Sequence, residues 1–251
     1  MKICIVIPFY NHPGAIAQVV DALKPLDLPC RIVDDGSDEA SQGVLAQIAA
    51  REDWVSVQRL PANRGKGGAV MAGCDAALAA GFTHALQIDA DGQHDAADVP
   101  RLLEQAQRHP QALVSGHAVY DESVPRSRLY GRYLTHVWVW INTLSFEIRD
   151  SMCGLRVYPL APTCAIWRRH RLGRRMDFDT EILVRLSWSG VAILSMPTRV
   201  TYPADGVSHF KLLKDNVYIS LMHARLFAGM LLRLPLLLGR RVRQRMQKVA
   251  A

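Results

Sequence analysis

Short apolar runs of strand length alternate with longer stretches of helical period through the first half of the chain. The runs Ile3–Ile7, Cys30–Val33, Val55–Arg59, Ala85–Ile88 and Ala112–Ser115 predict strands. Helical patterns fill the intervals near Gly14–Leu23, Ser41–Arg51, Gly68–Ala80 and Ala97–His109. Strands and helices alternating at this spacing predict an α/β fold with a mostly parallel sheet covered by helices on both faces. In such sheets ligands bind beyond the carboxyl ends of the strands, so every strand-end loop is a candidate.

The alternation stops after Gly116. Residues 117–131 are polar and carry Arg126 and Arg128, with Arg132 just beyond. Leu134–Phe146, with Trp138, Trp140, Ile141 and Leu144, has the pattern of a helix with one very apolar face, suited to a core or to a membrane contact. A polar loop at Asp150–Arg156 leads into a short strand. Met176–Glu181 opens an amphipathic helix running through Ser189, where Asp179 and Glu181 complement the helix dipole. A strand over Val191–Val200 and a Gly-centred loop at Asp205–Lys211 follow. Val217–Leu238 is apolar but interrupted by Arg225, Arg233 and Pro235, short of the roughly 18 clean residues of a good transmembrane span. Two readings stand for it: an interfacial amphipathic helix with a cationic rim, or a helix packed on the body with a solvated basic end.

Composition narrows the class. With 251 residues, 49% of them hydrophobic and 21% charged, the chain can build a sizeable core. The pattern divides it into a body over 1–212 and a helical tail over 213–251. Cys4, Cys30, Cys74, Cys153 and Cys164 are odd in number and lack C-x-x-C spacing, which fits a reducing compartment better than a disulfide or zinc framework. The first residues, interrupted by Pro8, read as a strand and not as a signal peptide. The net charge of +7 equals the contribution of Arg225, Arg233, Arg240, Arg241, Arg243, Arg245 and Lys248, with no Asp or Glu after Asp215. The rest of the chain balances at 23 basic against 23 acidic residues. A neutral body with a basic tail counts against nucleic acid and points to an anionic membrane surface.

Four strand-end loops carry the candidate chemistry. Pro8-Phe9-Tyr10-Asn11-His12 suits either a turn or a ligand contact. In Val33-Asp34-Asp35-Gly36-Ser37-Asp38, Ser37 and Asp38 suit helix capping, which leaves Asp35 as the better ligand candidate. Asn63-Arg64-Gly65-Lys66-Gly67-Gly68 opens a helix with glycines that let backbone approach a ligand, though it is no Walker A loop. In Asp89-Ala90-Asp91-Gly92-Gln93-His94, Asp89, Asp91 and Gln93 share one face of an extended segment. Converging oxygen ligands suit a hard divalent cation completed by phosphate oxygens, and they also suit a plain polar loop.

Taken in order and spacing, these loops resemble family 2 glycosyltransferases of the GT-A fold. Asp150-Ser151-Met152-Cys153-Gly154-Leu155-Arg156 and Phe178-Asp179-Thr180-Glu181 are similar to the dolichyl-phosphate glucose and mannose synthase branch, whose acceptors are polyprenyl phosphates. The resemblance spans roughly residues 3–210. It implies an inverting transfer from a UDP- or GDP-linked sugar to a lipid-linked acceptor, at the cytoplasmic face of a membrane. In that scheme Pro8, Tyr10, Asn11, Asp34 and Asp35 hold the nucleoside, and Asn63, Gly65 and Lys66 close its pocket. Asp91 and Gln93 bind Mg²⁺ or Mn²⁺ at the diphosphate, with Asp89 and Ala90 beside the donor. Asp89, Asp179, Glu181 and Arg128 are the catalytic candidates.

The chain departs from that pattern in places. His12 stands where the family often has an acidic residue. Gly116-His117-Ala118 lacks the Arg that the branch places after its fifth strand, so Arg126, Arg128 or Arg132 would supply the charge. Ser208-His209-Phe210-Lys211 stands where a Ser-Lys pair is common, and the branch's transmembrane appendages are missing. Two other classes compete. Asp89-Ala90-Asp91-Gly92 also resembles the nucleophile motif of haloacid-dehalogenase phosphatases, although that motif follows a first strand and carries Thr or Val where Gln93 stands. A non-enzymatic basic lipid-binding module is the other.

Overall fold

The computed structural model describes residues 1–119, 126–201 and 212–249, without the side chains of 126–130, 212, 214 and 243–249. Seven strands form one sheet: β1 (Ile3–Phe9), β2 (Cys30–Asp34), β3 (Val55–Arg59), β4 (His84–Gln87), β5 (Leu113–Val119), β6 (Arg156–Pro159) and β7 (Ile193–Arg199). Their order across the sheet is β3-β2-β1-β4-β6-β5-β7. Every pairing is parallel except those of β6, which runs against both β4 and β5. The helices are α1 (Pro13–Leu23), α2 (Glu39–Arg51), α3 (Lys66–Ala79), α4 (Val99–Arg108), α5 (Arg126–Thr143), α6 (Leu160–Arg169), α7 (Phe178–Ser189) and α8 (Leu212–Val249).

Alternation along β1 sorts the core. Ile3, Ile5 and Ile7 face a layer made with α1, α2 and α4, through Val20, Leu45 and Leu102 among others. Cys4 and Val6 face the opposite layer, where α3, α6, α7 and α8 supply Val70, Cys164, Ile182 and Leu226. Close backbone approach fixes α3 to the sheet: a Cβ on Gly73 would lie 2.6 Å from Val6 Cγ1.

Two elements differ from the sequence expectation. α6 lacks an alternating signature because its buried residues follow directly on the buried β6 run, so strand and helix merge into one apolar stretch. The tail is a single 38-residue helix that continues through Pro235. By length and composition alone its segment Asp215–Val242 could cross a membrane, in spite of the interrupting charges. Arg225, Arg233 and Arg240 lie back against the body, on Glu181, the Trp188 ring and the Trp188 carbonyl. One stripe of α8 (Met222, Leu226, Met230, Leu237) joins the core beside α7. The indole N–H of Trp188 donates to Asn142 O at 2.8 Å, tying α7 to α5.

Candidate active site

The antiparallel course of β6 matters chemically. Parallel β1, β2 and β4 bring their carboxyl ends to one edge, and β6 brings its amino end there, pairing Arg156 with Gln87. The N-termini of α3 and α7 open at the same edge with Lys66 and Asp179.

Lys66 Nζ lies 2.8 Å from Asp89 Oδ2 and 2.8 Å from Asp179 Oδ2. The fully buried Arg156 donates to Asp179 O at 2.8 Å, to Ser151 O at 2.9 Å and to the Tyr158 hydroxyl at 3.1 Å, with Asp179 Oδ1 at 3.5 Å. Two cations and two carboxylates thus alternate, which is how a low-dielectric site tolerates buried charge. Burial alone would raise the Asp89 carboxyl, but Lys66, His94 and Arg156 outweigh it and hold the group below its ordinary value. Burial opposes the Lys66 ammonium likewise, and Asp179 and Asp89 override it, so Lys66 stays charged.

Asp91 behaves differently. Burial raises its pKa, and the neighbouring Asp89 charge raises it further. Its Oδ1 accepts from the Gln93 amide at 3.0 Å, which shapes the turn. His94 Nε2 sits 3.9 Å from Asp89 Oδ2, and burial keeps that imidazole below its usual pKa despite both carboxylates. The loop is pinned to the end of β7, with Thr201 N donating to Gln93 O at 3.0 Å. Gly154 closes on it from the other side: a Cβ there would lie 2.1 Å from Asp89 Oδ2, so only glycine fits.

The nucleotide-loop residues stitch the strand ends together. Asn11, at φ 45°, donates its N–H to Ser37 Oγ (3.1 Å) and accepts from Asp38 N (2.9 Å). Asp34 accepts from Ser37 N and Arg59. The Asp35 carboxylate accepts from Arg64 N at 2.7 Å and Gly65 N at 2.8 Å, and burial outweighs these amides to raise its pKa. Gly65, at φ 84°, packs so closely that a Cβ would meet Arg174 O at 2.4 Å. Pro8 is buried in β1, while Tyr10 and Asn63 reach the surface above the same edge.

A cleft of about 50 Å³ is lined by Asp89, Gln93 and His94 together with Ala118, Arg132 and Gly154. Arg132 Nη2 contacts both oxygens of the buried Asp150 at 3.0 and 2.8 Å. Asp150 also accepts from Met152 N at 2.8 Å. Burial would raise the Asp150 carboxyl, but Arg132 and the backbone amides hold it low. The side chain of Arg128 lies outside the described residues.

Glu181 is not brought to the cleft. Fully buried two residues after Asp179, it accepts from Gly173 N at 2.8 Å, pairs with Arg185 at 2.7 Å and reaches Arg225 on α8 at 3.2 Å. Arg156 and Asp150 carry more of the site than the sequence reading gave them. The available signal for Arg156 was a cation inside the apolar run Leu155-Arg156-Val157-Tyr158, which demands a buried anion.

Among the described residues no three His, Cys, Asp or Glu side chains converge into a closed metal cage. The tip of β4 nevertheless fits a divalent cation that shares its coordination with a ligand. Asp89 Oδ1 is buried and accepts no hydrogen bond, and Asp91 suffers the charge of Asp89. A cation relieves both.

The fold matches that of glucosyl-3-phosphoglycerate synthase from Mycobacterium tuberculosis, with TM-score 0.64 at 17% identity over 92% of this chain and 79% of that one. In sequence, the chain is 31% identical to polyprenol monophosphomannose synthase of Mycolicibacterium smegmatis over 81% of this chain and 79% of the relative. It is 26% identical to an undecaprenyl-phosphate mannosyltransferase of Micrococcus luteus over 78% of this chain and 82% of the relative. Enzymes of this fold and family generally use a divalent metal. The family model for glycosyl transferase family 2 matches residues 4–174, which decides against the phosphatase and binding-module readings: the chain belongs to that family and is a glycosyltransferase of GT-A fold.

Proposed function

We propose that the protein moves a sugar, with inversion, from a UDP- or GDP-linked donor to a polyprenyl phosphate or other membrane-associated acceptor, at the cytoplasmic face of a membrane. The observation that carries this is the meeting of Asp89 and Asp91 with Lys66 and Asp179 at one sheet edge, beside a cleft walled by Arg132. The relatives' acceptors, named undecaprenyl phosphate and polyprenol, support the lipid side of the reading.

Asp91 and Gln93 would hold Mg²⁺ or Mn²⁺, which when bound offsets charge developing on the leaving diphosphate. The protein's own groups do the rest. Lys66 fixes the Asp89 and Asp179 carboxylates, and Asp35 holds the Arg64–Gly65 backbone over the nucleoside. The anomeric carbon–oxygen bond breaks with its electron pair passing to the diphosphate, while an acceptor phosphate oxygen bonds to that carbon from the opposite face. Such an acceptor is already an anion and needs no general base. The engagement of Glu181 in ion pairs away from the cleft agrees with that economy.

A thermal-shift and turnover panel of UDP- and GDP-sugars, with and without Mn²⁺, tests the donor side, since a ligand of the native state raises its stability. One nucleotide class should give a metal-dependent shift that Asp91→Ala removes. No shift with any nucleotide would overturn the reading. Transfer to a polyprenol but not to its phosphate would overturn the base-free attack by a phosphate oxygen.

A further inference from the structure

α5 and α8 pack side by side, and the Trp138 ring meets those of His223 and Phe227 at 6.0 Å each. One turn to either side of Trp138, Leu134 and Ile141 face solvent, and Phe146 follows at 77% exposure. On α8 the buried stripe uses one side of the helix. The other side presents Leu221, Leu232 and Leu236, with Leu232 at 84% exposure. From Leu213 to Val242 this outer side is apolar over roughly 40 Å of helix axis. The two exposed strips adjoin along the Trp138–Phe227 contact, forming one continuous apolar surface of the kind that marks an interaction site.

We propose that this two-helix face, α5 together with α8, is the surface on which the protein lies on an anionic bilayer. The inference deepens the proposed function and rests on its membrane-associated acceptor. Charge selects the occupant. Arg225 is taken up by Glu181, but α8 carries no acidic residue after Asp215 and its C-terminal end holds Arg240, Arg241, Arg243, Arg245 and Lys248, so anionic head groups complement it. A second copy of the same face would bring like charges together. The exposed rings of Tyr133 and Tyr218 suit the head-group level of a membrane. The placement also serves the reaction: α5 supplies Leu134 to the face and Arg132 to the cleft wall, so one helix links the bilayer surface to the site.

Flotation of the full chain with phosphatidylcholine vesicles, with and without phosphatidylglycerol, tests the face, alongside sedimentation without lipid. The chain should float with the anionic vesicles. Leu134→Glu on α5 and Leu232→Glu on α8 should each weaken binding by about tenfold or more with the melting temperature unchanged, both positions being exposed. If Leu134→Glu floats as well as the parent, α5 is not part of the face and the proposal fails. A dimer in solution that both variants dissociate, with no flotation of the parent, would assign the face to a second copy and overturn it too. Flotation that follows these variants while transfer to polyprenyl phosphate is absent would sink the acceptor reading and leave the docking face standing.

Discussion

Gly154 shows how little room the site leaves at the scale of one residue. Its α-carbon lies against the Asp89 carboxylate, and an added methyl would have to displace either that carboxylate or the Cys153–Leu155 backbone. Gly154→Ala should cost about 1–3 kcal/mol in overpacking, and the displaced Asp89 should lower kcat/KM by about a hundredfold. Urea unfolding and steady-state kinetics measure the two. A variant with normal kinetics would show that Asp89 tolerates the shift. Asp150 makes a second case. It gathers Arg132 and the amides of Ala118, Met152 and Cys153, so Asp150→Asn takes a counter-charge from the partly buried Arg132, at about 2 kcal/mol. Because its folded pKa lies below the ordinary 3.8, the stability it contributes is complete above that pH and is lost as acid takes the pH below it. Wild-type stability should therefore fall more steeply than that of Asp150→Asn on acidification below 3.8, as urea titrations across that range would record. Asp89 and Asp91 were legible in the sequence because a carboxylate pair at a strand tip is a local pattern. Gly154 was not, since what forbids a Cβ there is a side chain 65 residues away.

Elements decide which of two neighbouring carboxylates meets the cleft. Asp179 and Glu181 both sit in the first turn of α7, and helical rotation over two residues sends them to opposite sides. The sequence gives the helix and its acidic opening. It does not give the rotation, which is set by Ile182 and Leu186 packing into the core and by Arg225 arriving from α8. Glu181→Gln should therefore behave as a stability mutation, costing about 2–4 kcal/mol by stranding Arg185, while kcat measured below the melting temperature stays within about threefold of the parent. A general base would behave in the opposite way, with kcat down by about 10²–10⁴ and stability unchanged. Denaturant midpoints measured beside initial rates separate the two. The parallel strands and the helices between them were readable from period alone, because each carries its own apolar face. The antiparallel insertion of β6 was not readable from four buried residues, although that reversal is what carries Arg156 to the catalytic edge.

For the whole molecule, the question is where the body ends. Charge and hydropathy divide the chain near residue 212, and the structure puts that division through a packed layer. Met222, Leu226, Met230 and Leu237 belong to the same cluster as Ile182, Leu186 and Trp188 of α7. Arg175 pairs with the buried Asp215 at 3.3 Å, and Gly68 N, at the donor edge, donates to the carbonyl of the adjoining Arg174. Hydropathy measures how apolar a segment is and not which side of it is covered, so a helix with a buried stripe and an exposed stripe reads from sequence as a tail. Burying four such side chains contributes on the order of 6–12 kcal/mol, comparable with the entire stability of a domain of this kind. A chain truncated after residue 211 should consequently fail to give a cooperative melt, since Trp188 and Ile182 lose their cover. A chain truncated after Val242 keeps the whole stripe and should melt within about 2–4 °C of the parent, the shift expected of about 1 kcal/mol at this size. Calorimetry on the two truncations decides the matter. Two equal melts would make α8 a dispensable appendage, whereas loss of the melt in the shorter chain alone makes it the last helix of the catalytic body.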